Sequence, residues 1–260
     1  MEESGKIKTN LLTSQPQPYN LQNMKLLSTN AKLEKSVKGY LILGLQLAPH
    51  KQAGVGNVCP NASSGCIEAC LFTSGMGVFS NVMEGRKRKT RLFFENKKEF
   101  MRLLFKEIKA AEKKAIKLGL KLAVRLNTIS DIAWEKVKHE GQSTFEAFPN
   151  VTFYDYTKSP QRMAAFIAGE MPSNYHLTFS RSEEKQNQAF ALSFLKSAGN
   201  VAAVFRGSLP KTWQGFKVID GDKSDARFLD PKGCVVGLVE KGLAKKDETG
   251  FVIEPQASCA

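Results

Sequence analysis

The sequence predicts an α/β protein, in the form of a partial (β/α) barrel of about six mainly parallel strands, with an open doubly wound sheet as the alternative. Short apolar runs alternate with segments of helical periodicity from residue 121 to residue 239, an order that is typical of βαβ units. Polar side chains follow the end of each predicted strand, where parallel α/β folds gather their ligand-binding residues. A length of 260 residues with 42% hydrophobic content suits one large domain of this class.

Each predicted element follows from its pattern and its length. Residues 39–48 form a nearly continuous apolar run that Pro49 ends, which favours a buried strand over a helix. From Phe93 to Ala115, apolar residues recur at helical spacing, and Gly119 is expected to end that helix. Further strands are predicted at residues 122–127, 151–155, 175–180, 201–205, 216–220 and 233–239, and helices at 132–138, 161–168 and 183–197.

Composition divides the chain into three parts. Residues 1–38 begin with a polar, proline-containing stretch, which predicts an extended or partly ordered N-terminal arm. Residues 39–240 form the predicted α/β domain, with a cysteine loop at 57–72, and residues 241–260 are expected to form a C-terminal tail. No apolar run is long enough to span a bilayer and no secretory signal is visible, so we expect no membrane partner and a reducing, cytoplasmic location.

Three of the five cysteines, Cys59, Cys66 and Cys70, lie within twelve residues of one polar, glycine-containing loop. If residues 67–69 are helical, Cys66 and Cys70 share one face, and Cys59 approaches from the loop. Thiolates gathered in this way are ligands for a soft metal ion or an iron–sulfur cluster. Two alternatives remain open, namely a redox pair that leaves one thiol over and unrelated buried cysteines.

The number of available ligands favours a [4Fe–4S] cluster over zinc. Three cysteines match a cluster with one open iron, whereas a structural zinc ion is closed by four ligands. A zinc site would need His50, Cys234 or Cys259 as its fourth ligand. Cys234 lies in a predicted apolar strand and Cys259 lies next to the end of the chain, so neither is well placed. Zinc therefore stays the alternative to the cluster.

The polar strand ends supply candidate catalytic and cofactor-binding residues. The candidate catalytic residues are Arg125, Asn127, Asp131, Asp155 and Lys158. Ser180 and Arg206, at the ends of the next two strands, are the candidate cofactor-binding residues. Because parallel strands end at one edge of the sheet, we expect these side chains to surround the same cavity as the cysteines. Asp131 has a second interpretation, since it could simply cap the following helix.

The chain is strongly basic, with a formal net charge of +13. Such a charge indicates a polyanionic partner, or else a solvated lysine-rich surface. A basic run between the cysteine loop and the long helix supplies the candidate nucleic-acid-binding residues Arg86, Lys87, Arg88, Lys89 and Arg91. DNA, RNA or a nucleotide is therefore the expected partner.

A parallel barrel whose first strand leads directly into three clustered cysteines resembles the radical SAM superfamily, and Phe72 close after the last cysteine adds to the resemblance. This resemblance implies a four-iron cluster with one iron open to S-adenosylmethionine. The cysteines here are spaced more widely than in that superfamily. In addition, residues 127–131 read Asn-Thr-Ile-Ser-Asp where a Gly-Gly-Glu motif is expected. Cluster binding is thus better supported than binding of S-adenosylmethionine.

A second resemblance rests on three motifs. The Cys-Pro…Cys…Cys pattern, the Arg-Leu-Phe-Phe-Glu-Asn-Lys segment at 91–97 and the Arg-Leu-Asn-Thr-Ile-Ser-Asp segment at 125–131 resemble a bacteriophage family called gene product eighty-eight. The similarity extends from about Leu41 to Val239. It implies a phage protein in the host cytoplasm and no particular chemistry.

Two functions of different classes are compatible with these observations. In the first, the protein is an iron–sulfur enzyme that acts on a nucleotide or a nucleic acid. In the second, it is a basic nucleic-acid-binding protein with a structural zinc site and no catalysis. The iron, sulfide and zinc contents of protein purified without oxygen distinguish the two.

Overall fold

The computed structural model describes residues 24–29, 33 and 37–255. Its strands are β1 (Leu27–Ser28), β2 (Tyr40–Leu45), β3 (Lys121–Arg125), β4 (Lys138–His139), β5 (Gln142–Ser143), β6 (Thr152–Thr157), β7 (Tyr175–Ser180), β8 (Val201–Phe205), β9 (Thr212–Trp213), β10 (Phe216–Asp220), β11 (Val235–Val239) and β12 (Val252–Ile253). Its α-helices are α1 (Ser64–Glu68), α2 (Ser80–Glu95), α3 (Lys97–Lys117), α4 (Thr144–Ala147), α5 (Pro160–Ile167) and α6 (Lys185–Lys196).

A ten-stranded, mostly parallel sheet organises the described residues. Nine strands follow the order β1-β2-β3-β6-β7-β8-β11-β10-β9, and β12 pairs with β8 beside them. Only the β1–β2 and β9–β10 pairs of this sheet are antiparallel. The end strands β1 and β9 are not paired with each other, so within the described residues the sheet does not close into a barrel. The predicted α/β class with a mainly parallel sheet is confirmed.

The two faces of the sheet carry different layers. Leu122 and Val124 of β3 belong to the large core that the apolar faces of α2, α3, α5 and α6 complete. Because side chains alternate along a strand, Ala123 points to the opposite side, where it joins a small cluster with Tyr154 and Phe228. We call these the helix side and the loop side. No described helix is long and apolar enough to cross a membrane.

The long helix predicted from residue 93 onward is divided at Asn96. The Asn96 N–H donates to the Leu92 carbonyl and ends α2. The Asn96 side chain then accepts a hydrogen bond of 3.2 Å from the Glu99 N–H and begins α3. An asparagine side chain at an N-cap satisfies one of the free N–H groups of the new helix. The basic run therefore lies on a separate helix, α2.

The helix predicted at 132–138 is a short 3-10 turn, Trp134–Lys136, that leads into β4. The side-chain carbonyl of Asn127 accepts hydrogen bonds from the Ile132 N–H at 2.9 Å and from the Trp134 indole N–H at 3.1 Å. Side-chain hydrogen bonds of this kind compete with regular helix formation. This bonding accounts for the shorter turn.

The described parts of the predicted arm and tail belong to the fold. Leu26 and Leu27 are buried, and β1 pairs with the end of β2. Near the other end, Phe251 and Val252 are buried, and β12 pairs with the carboxyl half of β8. The described part of the segment predicted as a tail is therefore packed on the sheet, because burial of these apolar residues fixes it there. The arm at residues 1–23 and the tail at 256–260 lie outside the described residues.

Candidate metal centre

Cys59, Cys66 and Cys70 line one small pocket. Cys59 lies in the loop after β2, Cys66 lies in α1, and Cys70 follows two residues after that helix. The other lining residues are Pro49, His50, Gln52, Ala62, Ile67 and Phe72. The structure thus brings together the three cysteines that the sequence selected as metal ligands.

The pocket lies at the carboxyl edge of the sheet. The Asp131 N–H, beyond the end of β3, donates to the Val58 carbonyl at 2.8 Å. The sulfur of Cys59 lies 3.7 Å from the Ile129 carbonyl oxygen. These contacts hold the cysteine loop against the segment that follows β3. The position agrees with the general rule that ligand sites form at this edge in parallel folds.

Helix α1 is fixed at its N-terminus by Glu183, which lies in the segment after β7. The Glu183 carboxylate accepts hydrogen bonds from the Ser63 hydroxyl at 2.8 Å and from the Gly65 N–H at 2.9 Å. A carboxylate is favourable here because the first N–H groups of a helix have no partner within it. A side chain at Gly65 would collide with this carboxylate and with the Thr249 hydroxyl. Glu183 therefore positions the helix that carries Cys66.

Two thiols of this pocket, those of Cys59 and Cys70, resist ionisation when no cation is present. Burial raises the pKa of Cys59 to about 12 and the pKa of Cys70 to about 11. The nearby charge of Cys66 raises both pKa values further. The His50 backbone N–H donates to the Cys59 sulfur at 3.3 Å and acts in the opposite direction. Metal binding requires thiolates, so a bound cation would have to supply the stabilisation that the protein alone lacks.

Arg86 supplies positive charge on the other side of the pocket. One of its terminal nitrogens, Nη2, donates to the Gln46 side chain at 2.8 Å. Its Nε and Nη1 atoms are buried, with no hydrogen-bond acceptor among the described residues. The guanidinium acts to lower the pKa of Cys70, which indicates that it lies close to that sulfur. Buried donors without acceptors are uncommon and suit an anionic group near Cys70.

Among the described residues, no three His, Cys, Asp or Glu side chains are arranged to hold a single metal ion. Cys234 lies at the amino end of β11, where its carbonyl accepts from the Val201 N–H. It therefore occupies the opposite edge of the sheet from the pocket. Cys259 lies outside the described residues. His50 does line the pocket, whereas Cys234 does not.

Asn127 and Asp155 form part of a buried polar network. The Asp155 carboxylate accepts from the Asn127 N–H at 2.6 Å and from the Tyr175 hydroxyl at 2.9 Å. Asn127 also binds the Ile132 segment described above. Both side chains are buried, and neither lines the cysteine pocket. They are fully engaged with protein atoms, so their visible role is to hold the loop after β3.

Asp131 joins this network to the cysteine loop. Its carboxylate accepts from Arg162 Nη1 at 2.7 Å and from the Lys158 N–H at 2.9 Å. Arg162 also forms a two-pronged ion pair with Glu135, at 2.8 and 3.0 Å. The charge of Asp131 raises the pKa of Cys59, which places it near that thiol. Of the five candidate catalytic residues, Asp131 is the one that adjoins the cysteines.

Arg125 points to the loop side of the sheet. It pairs with the Asp225 carboxylate at 3.0 Å, and its guanidinium stacks 4.5 Å from the centre of the Tyr156 ring. The Tyr154 hydroxyl donates to the same carboxylate at 3.0 Å. This buried cluster is separated by the sheet from Asp155. The five candidate catalytic residues therefore do not surround one cavity, which corrects that expectation.

Lys158, Ser180 and Arg206 lie under the C-terminal segment. Lys158 Nζ donates to the Ser180 hydroxyl at 2.8 Å and lies 5.1 Å from the centre of the Phe251 ring. Arg206 donates to the Asp247 carbonyl at 2.6 Å and also binds the Glu254 carboxylate. Lys158 and Arg206 fasten residues 245–254 to the ends of the central strands, and Ser180 holds Lys158 in place. None of the three side chains lines the cysteine pocket.

The basic run forms part of α2, and it is made up of Arg86, Lys87, Arg88, Lys89 and Arg91. Three of these cations are used within the protein. Lys89 Nζ donates to the Leu26 carbonyl at 3.0 Å, Arg91 Nε donates to the Ala53 carbonyl at 3.2 Å, and Arg86 Nη2 donates to the Gln46 side chain. Such contacts anchor β1 and the loop before Cys59. They leave less of the run for a nucleic acid than its composition suggests.

The two remaining cations of the run are turned outward. Lys87 pairs with Glu84 at 2.8 Å, one turn earlier on the same helix. Arg88 is exposed to solvent. Two outward side chains, one of them paired with an acid, form a weak anion-binding surface. The predicted five-residue patch is therefore not one continuous basic face.

The comparison with protein families supports one of the two resemblances. The model of the family described as gene product 88 matches residues 22–255. The chain belongs to the gene product 88 family. No curated protein and no solved structure matches the chain. The radical SAM resemblance consequently has no support from these comparisons.

In this gene product 88 protein, two residues that the sequence analysis missed organise the site. Arg162 binds Asp131, and Glu183 binds the start of α1. Each acts across a long distance in sequence, so no local motif reveals it. For Arg162, the sequence offered one signal, which is a lone charged residue in the first turn of the mostly apolar predicted helix 161–168.

Replacing Glu183 with alanine is expected to lower the free energy of unfolding by about 1–2 kcal/mol, because α1 loses the acceptor for its free N–H groups. We also expect Cys66 and Cys70 to react faster with a thiol reagent, since α1 would open more often. Urea unfolding and the rate of thiol modification measure the two effects. Glu184→Ala is the matched control, because Glu184 is exposed and makes no side-chain capping bond. Equal stability and equal thiol reactivity in the two variants would contradict the positioning role.

Proposed function

We propose that this gene product 88 protein is an iron–sulfur protein in which Cys59, Cys66 and Cys70 hold a [4Fe–4S] cluster with one open iron. We further propose that it is an enzyme that acts on a nucleotide or a nucleic acid. The observation that carries the proposal is that the three cysteines, and no other cysteine of the described residues, line one pocket at the carboxyl edge of the sheet.

The donor set fits a cluster better than a single ion. Zinc requires four ligands directed at one point, and no group of three candidate ligands in the described part of the chain is arranged in that way. In a cluster, each thiolate binds a different iron, so the sulfurs need not converge on one point. Soft thiolates are also the ligands that such clusters use in proteins.

Two groups of the chain would stabilise a negatively charged cluster. The His50 N–H already donates to the Cys59 sulfur, and hydrogen bonds to ligand sulfurs tune the potential of a cluster. The free N–H groups of Arg86 lie on the Cys70 side of the pocket. When bound, the cluster supplies one-electron chemistry and an iron that is open to a further ligand.

The finer radical-SAM-like interpretation rests on topology and on motif order. The first parallel strand leads into the cysteine loop, and β2, β3, β6, β7 and β8 lie side by side in chain order, as in a partial (β/α) barrel. S-adenosylmethionine is therefore a candidate ligand of the open iron. The nucleotide or nucleic-acid substrate is supported by the net charge of +13.

Protein purified without oxygen is expected to be brown and to contain about four irons and four sulfides per chain. Cys59→Ser, Cys66→Ser and Cys70→Ser should each abolish the colour and most of the iron. Cys234→Ser is the matched control, because that thiol lies at the opposite edge of the sheet. Absorbance and elemental analysis measure the outcome. Colourless protein with stoichiometric zinc would favour a structural zinc site in a non-catalytic binding protein instead.

A further inference from the structure

The outer face of α3 carries an uninterrupted line of cations. Six exposed residues recur at intervals of three or four positions, which places them on one side of a helix. We call them the α3 basic stripe, and they are Lys98, Arg102, Lys106, Lys109, Lys113 and Lys117. From the first to the last, the stripe is about 29 Å long at 1.5 Å per residue.

Acidic side chains of the same helix do little to neutralise the stripe. Glu107 is directed inward, where it accepts hydrogen bonds from the Leu26 and Leu27 N–H groups at 2.7 and 2.8 Å. Glu99 pairs with Arg102 at 2.7 Å. Within the described part of the chain, this is the stripe's one salt bridge. Helix α3 carries eight Lys and Arg residues against three Glu, and so contributes five of the thirteen net positive charges.

The other face of α3 is committed to the core. Phe100, Leu104 and Ile108 are fully buried against the sheet. A helix that binds a bilayer surface needs a free apolar face to insert between lipids, and α3 has none. The stripe also contains no aromatic residue of the kind that anchors most protein–protein interfaces. Its chemistry is that of a regular row of cations.

We infer that the α3 basic stripe is a binding surface for the phosphate backbone of a nucleic acid. Phosphates of one strand are spaced by about 3.4 Å along the axis of a duplex, so the length of the stripe corresponds to roughly eight base pairs. Contacts to phosphates need only positioned cations and give affinity without sequence preference. This inference deepens the nucleic-acid part of the proposed function, and it requires no cluster.

The test compares two variants of the full-length protein with equal net charge. Lys106, Lys109 and Lys113 become glutamine in the stripe variant, a change that preserves helix propensity. In the control variant, three exposed lysines outside α3, Lys185, Lys211 and Lys232, become glutamine. The binding of a twenty-base-pair duplex and of a single strand is measured from 50 to 300 mM salt. Circular dichroism confirms that both variants are folded.

Loss of three phosphate contacts should reduce the slope of log affinity against log salt by about two to three for the duplex. At about 0.1 M salt, affinity should fall on the order of a hundredfold in the stripe variant. The control variant should bind within a few-fold of the unmodified protein. Equal losses in both variants, or no loss in the stripe variant, would overturn the inference. Vesicles with anionic phospholipid serve as the third probe, and preferential binding to them over DNA would also overturn it.

The outcome can be separated from that of the cluster proposal. Colourless protein that binds DNA through the stripe would reject the iron–sulfur centre and keep the surface. Brown protein with a stripe variant that binds normally would keep the centre and reject the surface. Each result bears on a different set of side chains, since no residue of the stripe lines the cysteine pocket.

Discussion

Replacing Arg162 with methionine is expected to lower the free energy of unfolding by about 3–5 kcal/mol, because removal of one partner leaves buried charges unpaired. The Arg162 side chain is 6% exposed. Its guanidinium bonds Asp131 and Glu135, and it also donates to the Tyr175 hydroxyl at 2.7 Å. Methionine retains the apolar part of the side chain, so the decrease in the free energy of unfolding measures the contribution of the charge and its hydrogen bonds. Urea unfolding at neutral pH measures it.

Arg102→Met is the matched control for this experiment. Arg102 also pairs with a glutamate, at 2.7 Å, but its side chain is 55% exposed. Exposed pairs contribute about 0–1 kcal/mol, since water and salt screen them. Similar losses in the two variants would contradict the buried network.

A second consequence of Arg162→Met is expected at the cysteines. Asp131 would lose the partner that holds it beside Cys59. Because the charge of Asp131 raises the pKa of Cys59, the Cys59 thiol should become more reactive when Asp131 moves away.

The order of strands was predictable because their apolar runs are short and are bounded by turns. The structure retains strands at 175–180, 201–205 and 216–220 with the predicted limits. Helix boundaries were harder to predict from the sequence. Nothing in the apolar period reveals that Asn96 ends one helix and begins the next, since the period continues through both. A side-chain bond to one N–H group decides it.

The cysteine pocket could be predicted from spacing, whereas the catalytic candidates could not. Cys66 and Cys70 are brought together by a local helix and loop, which a pattern can show. Whether a polar residue at a strand end faces a cavity, a helix or a loop depends on distant partners. Asp155 is bound by Asn127 and Tyr175, which lie 28 and 20 positions away. Arg125 is bound by Asp225, at a separation of 100 residues.

The charge pattern was also only partly informative. A run of consecutive basic residues on a helix points in several directions, because successive positions are about 100° apart at 3.6 residues per turn. Lys89 and Arg91 consequently reach oxygens of neighbouring segments. Basic residues that repeat every three or four positions share one face instead. Such periodicity in α3 was visible in the sequence and is the better indicator of a surface.

The stability of the protein is expected to fall as the pH rises from about 5 to 7.5, because of Asp155. Burial raises the pKa of this carboxyl to about 7 from an ordinary value of 3.8. The hydrogen bond from the Asn127 N–H and the charges of Arg125 and Arg162 act in the other direction and do not cancel the effect of burial. In this range the folded protein holds a proton that the unfolded chain has released. Stability therefore decreases with pH, by at most about 4 kcal/mol over the full interval between the two pKa values.

The chosen pH range separates Asp155 from most other groups. Carboxylates whose pKa is lowered, such as Glu146 with a pKa of about 2, affect stability only in more acidic solution. Burial lowers the pKa of Lys89 to about 8, so its contribution begins above the range. Burial also lowers the pKa of His176. The unfolded chain then binds the extra proton, so His176 makes stability rise with pH below its ordinary pKa of 6.5.

Urea unfolding between pH 5 and 7.5 should consequently be compared in three proteins. His176→Gln removes the opposing contribution, so its stability should decrease with pH more steeply than that of the unmodified protein. Asp155→Asn cannot ionise, and its stability should no longer decrease over this range, whatever its overall stability. A His176→Gln protein whose stability is constant or rises between pH 5 and 7.5 would show that Asp155 is already ionised at pH 5. In that case its hydrogen bonds and the two arginines, rather than burial, set the charge of the network beside the cysteine pocket.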